Sequence, residues 1–116
     1  MKVKNITLPN QTMISFYIGE NAIDNEEVIS IGNDNDLWFH ATNCSSSHVL
    51  AKMPEKYTKK EKGYIIKIGA QLCKHHTSKL QKEKDVAITY TRKKNLQQTN
   101  IPGTVYIDEG KCILIH

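Results

Sequence analysis

Fifteen consecutive residues from Asp36 to Leu50, DLWFHATNCSSSHVL, carry one carboxylate, two imidazoles, an indole, a thiol and three serine hydroxyls. Asp36, His40 and His48 are the residue types of a small hydrolase or a metal-dependent nuclease, with imidazole as base or ligand and carboxylate as orienter. A Ser47-His48-Asp36 triad can be written, but no GxSxG elbow or oxyanion-hole glycines accompany it. Cys44 and Asp36 could join the histidines on a metal, yet their spacing matches no zinc pattern. A nucleic-acid surface is the third chemistry, with Trp38 or a histidine stacking on bases and Lys52 meeting phosphate. The fourth is structural: histidines bonded to backbone or to each other, and Trp38 packed against a helix.

A hairpin would position this set. If Leu37–Ala41 and Ser47–Met53 pair antiparallel around a loop at Cys44, Leu37, Phe39 and Ala41 oppose Ala51, Val49 and Ser47 on one face. Asp36, Trp38 and His40 then oppose Lys52, Leu50 and His48 on the other. The first face is core. The second has an ion pair at one end and two facing imidazoles at the other, and alternation predicts Trp38 opposite Phe39 and at least partly accessible.

A second constellation lies at Arg92, Lys93 and Lys94, directly after the apolar-rich DVAITYT and before a polar stretch closed by Pro102-Gly103. A basic cluster beside a strand edge suits phosphate contact, and arginine adds stacking to charge. A solvated charged loop has the same composition.

Charge divides along the chain: residues 1–51 hold two lysines against six acids, and residues 52–116 hold fourteen basic residues against six acids, within a net +4. Fifteen of the sixteen basic residues are lysine. Lysine meets phosphate as a point charge but lacks the fork that reads guanine edges, which argues against sequence-specific duplex readout. Cys44, Cys73 and Cys112 are odd in number and in no CxxC arrangement, as expected of reduced thiols. No stretch approaches the ~20 apolar residues of a membrane span, and MKVKNITLPN lacks a signal-peptide core. A soluble, cytoplasmic protein is the expectation.

The 116 residues suffice for one domain, 1–116, with one core. MKVKNITL and MISFYI read as strands around a Pro9-Asn10 turn. Asp24 as N-cap, Glu27 at the capping-box position and Gly32 as stop predict a short helix. Thr58 and Glu61 form a second capping box, opening a helix to about Leu80 with Ile65, Ile68 and Leu72 as its buried stripe. Gly69 beside that stripe permits close packing on a sheet, and Lys60, Lys67 and Lys74 form an exposed line. DVAITYT, GTVYI and CILI supply three more strands. The order ββαββαβββ predicts an α+β fold with a largely antiparallel sheet.

Together, GENAIDNEEV, DLWFHA…SSSHV, AQLCKHHTSKL and VAITYTRKKNLQQTNIPGTVYI…CILI resemble the NFACT-R domain, the RNA-binding module at the end of NEMF and the fibronectin-binding-like proteins. The resemblance runs from Gly19 to Ile115. Its most specific pieces are Asp36, Trp38, Phe39 and His40; Ser47, His48 and Val49; and Tyr90, Thr91, Lys94, Leu96, Pro102, Gly103 and Val105. Ser45-Ser46 stands where most members have Pro-Gly, as in the short eukaryotic coiled-coil relatives. Gln98 replaces a usual basic residue. The N-terminal domain, helix-hairpin-helix and coiled coil of full-length members are not recognisable here.

The resemblance implies a non-catalytic module without cofactor or metal, binding RNA in ribosome-associated quality control. The RNA would be tRNA or large-subunit rRNA, with contacts at Trp38, His40, His48, Lys52, Arg92, Lys93 and Lys94. These residues do not separate RNA from DNA, and the oligomeric state stays open. The rivals are the hydrolase or nuclease on Asp36, His40 and His48, and an adaptor for a ribosomal or quality-control protein.

Overall fold

A computed structural model describes residues 1–116. Strands β1 (Lys2–Thr7) and β2 (Met13–Ile18) form the first hairpin, paired from Lys2↔Ile18 to Thr7↔Met13. Alternation along β2 buries Ile14, Phe16 and Ile18. Helix α1 (Ala22–Ser30) follows. Its cap is Asn21, whose side chain accepts from the Asp24 amide at 2.9 Å, so the helix starts earlier than the expected Asp24 cap. Asp24 instead lies in the first turn, where its charge complements the helix dipole.

Strands β3 (Leu37–Ala41) and β4 (Val49–Ala51) pair in the expected register, Leu37↔Ala51, Trp38↔Leu50 and Phe39↔Val49. Helix α2 (Lys59–His75) opens with the complete Thr58–Glu61 capping box. It ends before Leu80, because the Thr77 hydroxyl turns back to the Cys73 carbonyl at 2.8 Å and also accepts from the Ser47 amide at 3.1 Å. The chain is thereby diverted into a single 3₁₀ turn, Ser78–Leu80. The buried stripe of α2 is Ile65, Gly69, Ala70 and Cys73; Ile68 and Leu72 are half-buried at its margin. At Gly69 a Cβ would lie 2.3 Å from Phe39 Cζ, so the absent side chain lets α2 sit directly on the β3 aromatic.

After α2 come β5 (Val86–Arg92), β6 (Leu96–Gln98), β7 (Val105–Ile107) and β8 (Lys111–Ile115). The main sheet is six-stranded and antiparallel throughout, in the order β1-β2-β4-β3-β5-β8, and β6 and β7 form a separate ribbon. The α+β class with two helices holds. β6 is a strand beyond those expected, made by Leu96, Gln97 and Gln98, whose exposed glutamines carry no core signal.

The sheet buries both faces. Under α2 lies the main core, including Phe16, Phe39, Val49, Ile65 and Ile88. On the opposite face, α1 and the ribbon cover a smaller core of Val28, Ile29, Trp38 and Leu50, with Leu96 and Val105 at its edge. Trp38 is thus opposite Phe39, as strand alternation requires, but only 1% exposed. No helix is long and apolar enough to cross a membrane.

Candidate nucleic-acid interface

The two ends of the β3–β4 hairpin have separate fates. At one end Asp36 is buried, accepting from the Asn33 amide at 2.9 Å and the Met53 amide at 2.8 Å and pairing with Lys52 Nζ at 3.2 Å. Lys52 also donates to the Ile31 carbonyl. The expected Asp36–Lys52 pair exists, and it staples the turn before β3 to the exit from β4. Lys52 has its ammonium committed to protein acceptors, which removes it from the free phosphate ligands.

At the other end Trp38, His40 and His48 form one aromatic cluster. His40 stacks on Trp38 with centroids 5.6 Å apart and planes 6° apart, and meets His48 edge-on at 5.0 Å. Trp38 Nε1 donates to His48 Nδ1 at 3.1 Å. An indole nitrogen can only donate, so the neutral His48 ring accepts at Nδ1 and carries its proton on Nε2. Burial, helped by His40, pushes the His48 pKa down from 6.5 to about 3. The His48 amide donates to Asn25 Oδ1 at 3.1 Å, tying the cluster to α1. Gly103 has φ +78° and donates its amide to Glu26 at 2.8 Å, which fixes the Pro102-Gly103 turn on the same helix.

The expectation of an accessible Trp38 that stacks on bases is therefore corrected: α1, unplaced by hairpin geometry alone, covers its face. His48 is likewise buried and points inward. Asp36, in the turn before β3, and His40, within it, are four residues apart, about 13 Å of extended chain, and Asp36 is saturated by two backbone donors and Lys52. The hydrolase or nuclease constellation of Asp36, His40 and His48 is not brought together, and no three His, Cys, Asp or Glu side chains are arranged to hold a metal.

The basic cluster also divides. The amides of Lys93 and Lys94 donate to the carbonyls of Asp36 (2.8 Å) and Asp34 (3.1 Å), folding the post-β5 turn against the loop before β3. The Lys93 stem lies toward Gly32. Arg92 and Lys94 instead line a groove of about 1030 Å³ between the start of α2 and the ends of β5 and β8. Lys59 and Lys62 face it from α2, together with Gly63 and Ile66, since positions three, four and seven apart share a helical face. Lys111 completes the set from β8.

Five cations thus converge on one groove. None belongs to an ion pair, because the three pairs in the molecule join Met1 to Asp24, Lys52 to Asp36 and His116 to Asp85. Asp108 and Glu109 occupy one rim. The Glu109 carbonyl accepts from the Thr91 hydroxyl, which also accepts from Asn95 at 3.1 Å, so the turn before β8 is held in place. Tyr90 also lines the groove. Lys59, Lys62 and Lys111 were not among the expected site residues: each is an ordinary lysine in sequence, and only the β5–β8 pairing and the packing of α2 on the sheet bring them to Arg92.

The family model for the NFACT protein RNA binding domain matches residues 4–115. Coiled-coil domain-containing protein 25 of Danio rerio is 33% identical over 86 residues, 73% of this chain and 42% of that protein. Its Dictyostelium discoideum homolog is 33% identical over 84 residues, 72% of this chain and 41% of that protein. The C-terminal structure of the fibronectin/fibrinogen-binding protein from Streptococcus suis superposes with a TM-score of 0.80 at 19% identity, over 99% of this chain and 45% of that one, a likeness of fold. The chain spans less than half the length of each of these relatives. With the family model matched over nearly every residue, the chain belongs to the NFACT-R family of RNA-binding domains.

Proposed function

We propose that the domain binds RNA through its phosphate backbone, in the groove of Lys59, Lys62, Arg92, Lys94 and Lys111, with little discrimination of sequence. The observation that carries this reading is the convergence of five unpaired cations, from α2, from β5 and the turn after it, and from β8, on one open groove. Phosphate neutralisation supplies most sequence-independent affinity for nucleic acids, and lysine-dominated surfaces suit it. Family membership favours RNA as the partner. On the same ground tRNA or large-subunit rRNA, in a cytoplasmic setting of ribosome-associated quality control, is the RNA we assign. The role is non-catalytic, in keeping with Asp36 being spent on backbone donors far from the histidines.

Fluorescence anisotropy of a labelled single-stranded RNA across a salt series tests this. Engagement of about five cations gives a slope of log affinity on log salt near −3.5, at roughly −0.7 per contact. Affinity independent of salt, or no binding at low salt, contradicts the proposal.

A further inference from the structure

Beyond the opposite end of α2 lies a cleft of about 540 Å³ that the phosphate groove does not use. It opens between the Ser45–Ser47 loop, the start of α1, the Ser78 turn and Pro102-Gly103. His40 lines it with its ring already stacked on Trp38. The His40 Nδ1 bonds the Ala41 carbonyl at 2.7 Å, and a carbonyl only accepts, so the neutral ring carries its proton on Nδ1 and leaves Nε2 as an acceptor. Burial lowers the His40 pKa and keeps that ring neutral at physiological pH. His76, also lining the cleft, has a buried Nε2 with no hydrogen-bond partner. Lys79 and Glu20 contribute one charge of each sign, and Lys79 reaches Ser45 Oγ at 3.4 Å.

This lining decides between two ligand chemistries. A phosphate would meet Glu20 and two neutral imidazoles, with a single lysine to hold it. A nucleobase, uncharged and planar with donors and acceptors around its edge, matches a stacked ring wall, an imidazole acceptor, serine hydroxyls and a lysine donor. We propose that this cleft takes one unstacked nucleobase of the RNA whose phosphates lie in the groove, a site that rests on the RNA-binding reading above. The axial rise from Lys62 to His76 is about 21 Å. A short single strand can therefore occupy both sites.

The four ribonucleosides, which carry no phosphate, are the probes. Titrated into isotopically labelled protein and followed by NMR, they should shift the Trp38 indole N–H and the amides of His48, Ser78 and Gly103 saturably, with one base preferred. His40→Phe keeps a planar ring on Trp38 but lacks the acceptor, and should weaken nucleoside binding about five- to tenfold. Ser78→Trp, at an exposed rim position, should occlude the cleft and abolish the shifts without testing the buried cluster. The double variant Arg92→Gln, Lys94→Gln should weaken RNA binding and leave nucleoside binding unchanged. Absence of nucleoside shifts in the cleft while RNA still binds overturns the base site alone, as do saturable shifts there with inorganic phosphate only. Nucleoside shifts without any RNA binding would sink the RNA-binding reading instead.

Discussion

The indole of Trp38 and the imidazole of His48 share one hydrogen bond, 3.1 Å from Nε1 to Nδ1, in the smaller core beneath α1. Both side chains are 1% exposed, so this bond replaces water for two polar atoms that the sheet has buried. His48→Phe should leave the indole N–H unpaired and cost about 1–3 kcal/mol. Urea unfolding followed by Trp38 fluorescence measures it. A cost indistinguishable from zero would mean that the indole finds another acceptor.

The same imidazole makes stability depend on pH. Its folded pKa of about 3 lies below the unfolded value of 6.5, so below pH 6.5 the unfolded chain takes up a proton that the folded chain refuses. Stability is fully present above the unfolded pKa and falls as pH drops across that window, by at most about 1.4 kcal/mol per unit for one proton. His40 is lowered in the same direction by burial. His48→Gln should flatten the dependence of unfolding free energy between about pH 7.5 and 5, above most carboxylate titration. An unchanged slope would place the proton elsewhere.

Two glycines of α2 should respond oppositely to alanine. At Gly63 a new Cβ meets nothing within 4 Å, so Gly63→Ala should stabilise by the helix propensity difference, about 1 kcal/mol. At Gly69 the Cβ would meet Phe39 at 2.3 Å, and overpacking of about 1–3 kcal/mol opposes that gain. Thermal melts of the two variants should move apart, Gly63→Ala upward and Gly69→Ala downward. Movement of both in the same direction would contradict the close approach of α2 to β3.

The hairpin register, the Thr58–Glu61 box and the role of Gly69 are local or pairwise features, and alternation, capping chemistry and the missing Cβ make them readable from sequence. The fate of Trp38 is not local. Alternation sets its face, but whether that face meets water depends on α1 packing across the sheet, which neither strand records. Asn21 and Asp24 are both good caps, and only the Asn21 side chain, bonded to the Asp24 amide, shows which one is used. β6 escapes because Gln97 and Gln98 are exposed, polar residues of a two-stranded ribbon. Two of the five groove cations, Arg92 and Lys94, are legible in the sequence, while Lys59, Lys62 and Lys111 join them through tertiary pairing with no motif of their own.

The most direct measurement is RNA affinity, at one fixed low salt concentration, for two sets of charge-neutralising substitutions with circular dichroism confirming the fold. One set, Lys62→Gln, Arg92→Gln and Lys94→Gln, empties the groove of three cations. The other, Lys60→Gln, Lys67→Gln and Lys74→Gln, removes the same charge from the outer line of α2, where Lys60 and Lys67 are exposed and Lys74 is half-buried. The groove set should weaken binding by about tenfold or more beyond the outer set and reduce the salt slope by about 2. Equal losses from both sets would mean that net charge alone attracts RNA and that the groove is not the binding surface.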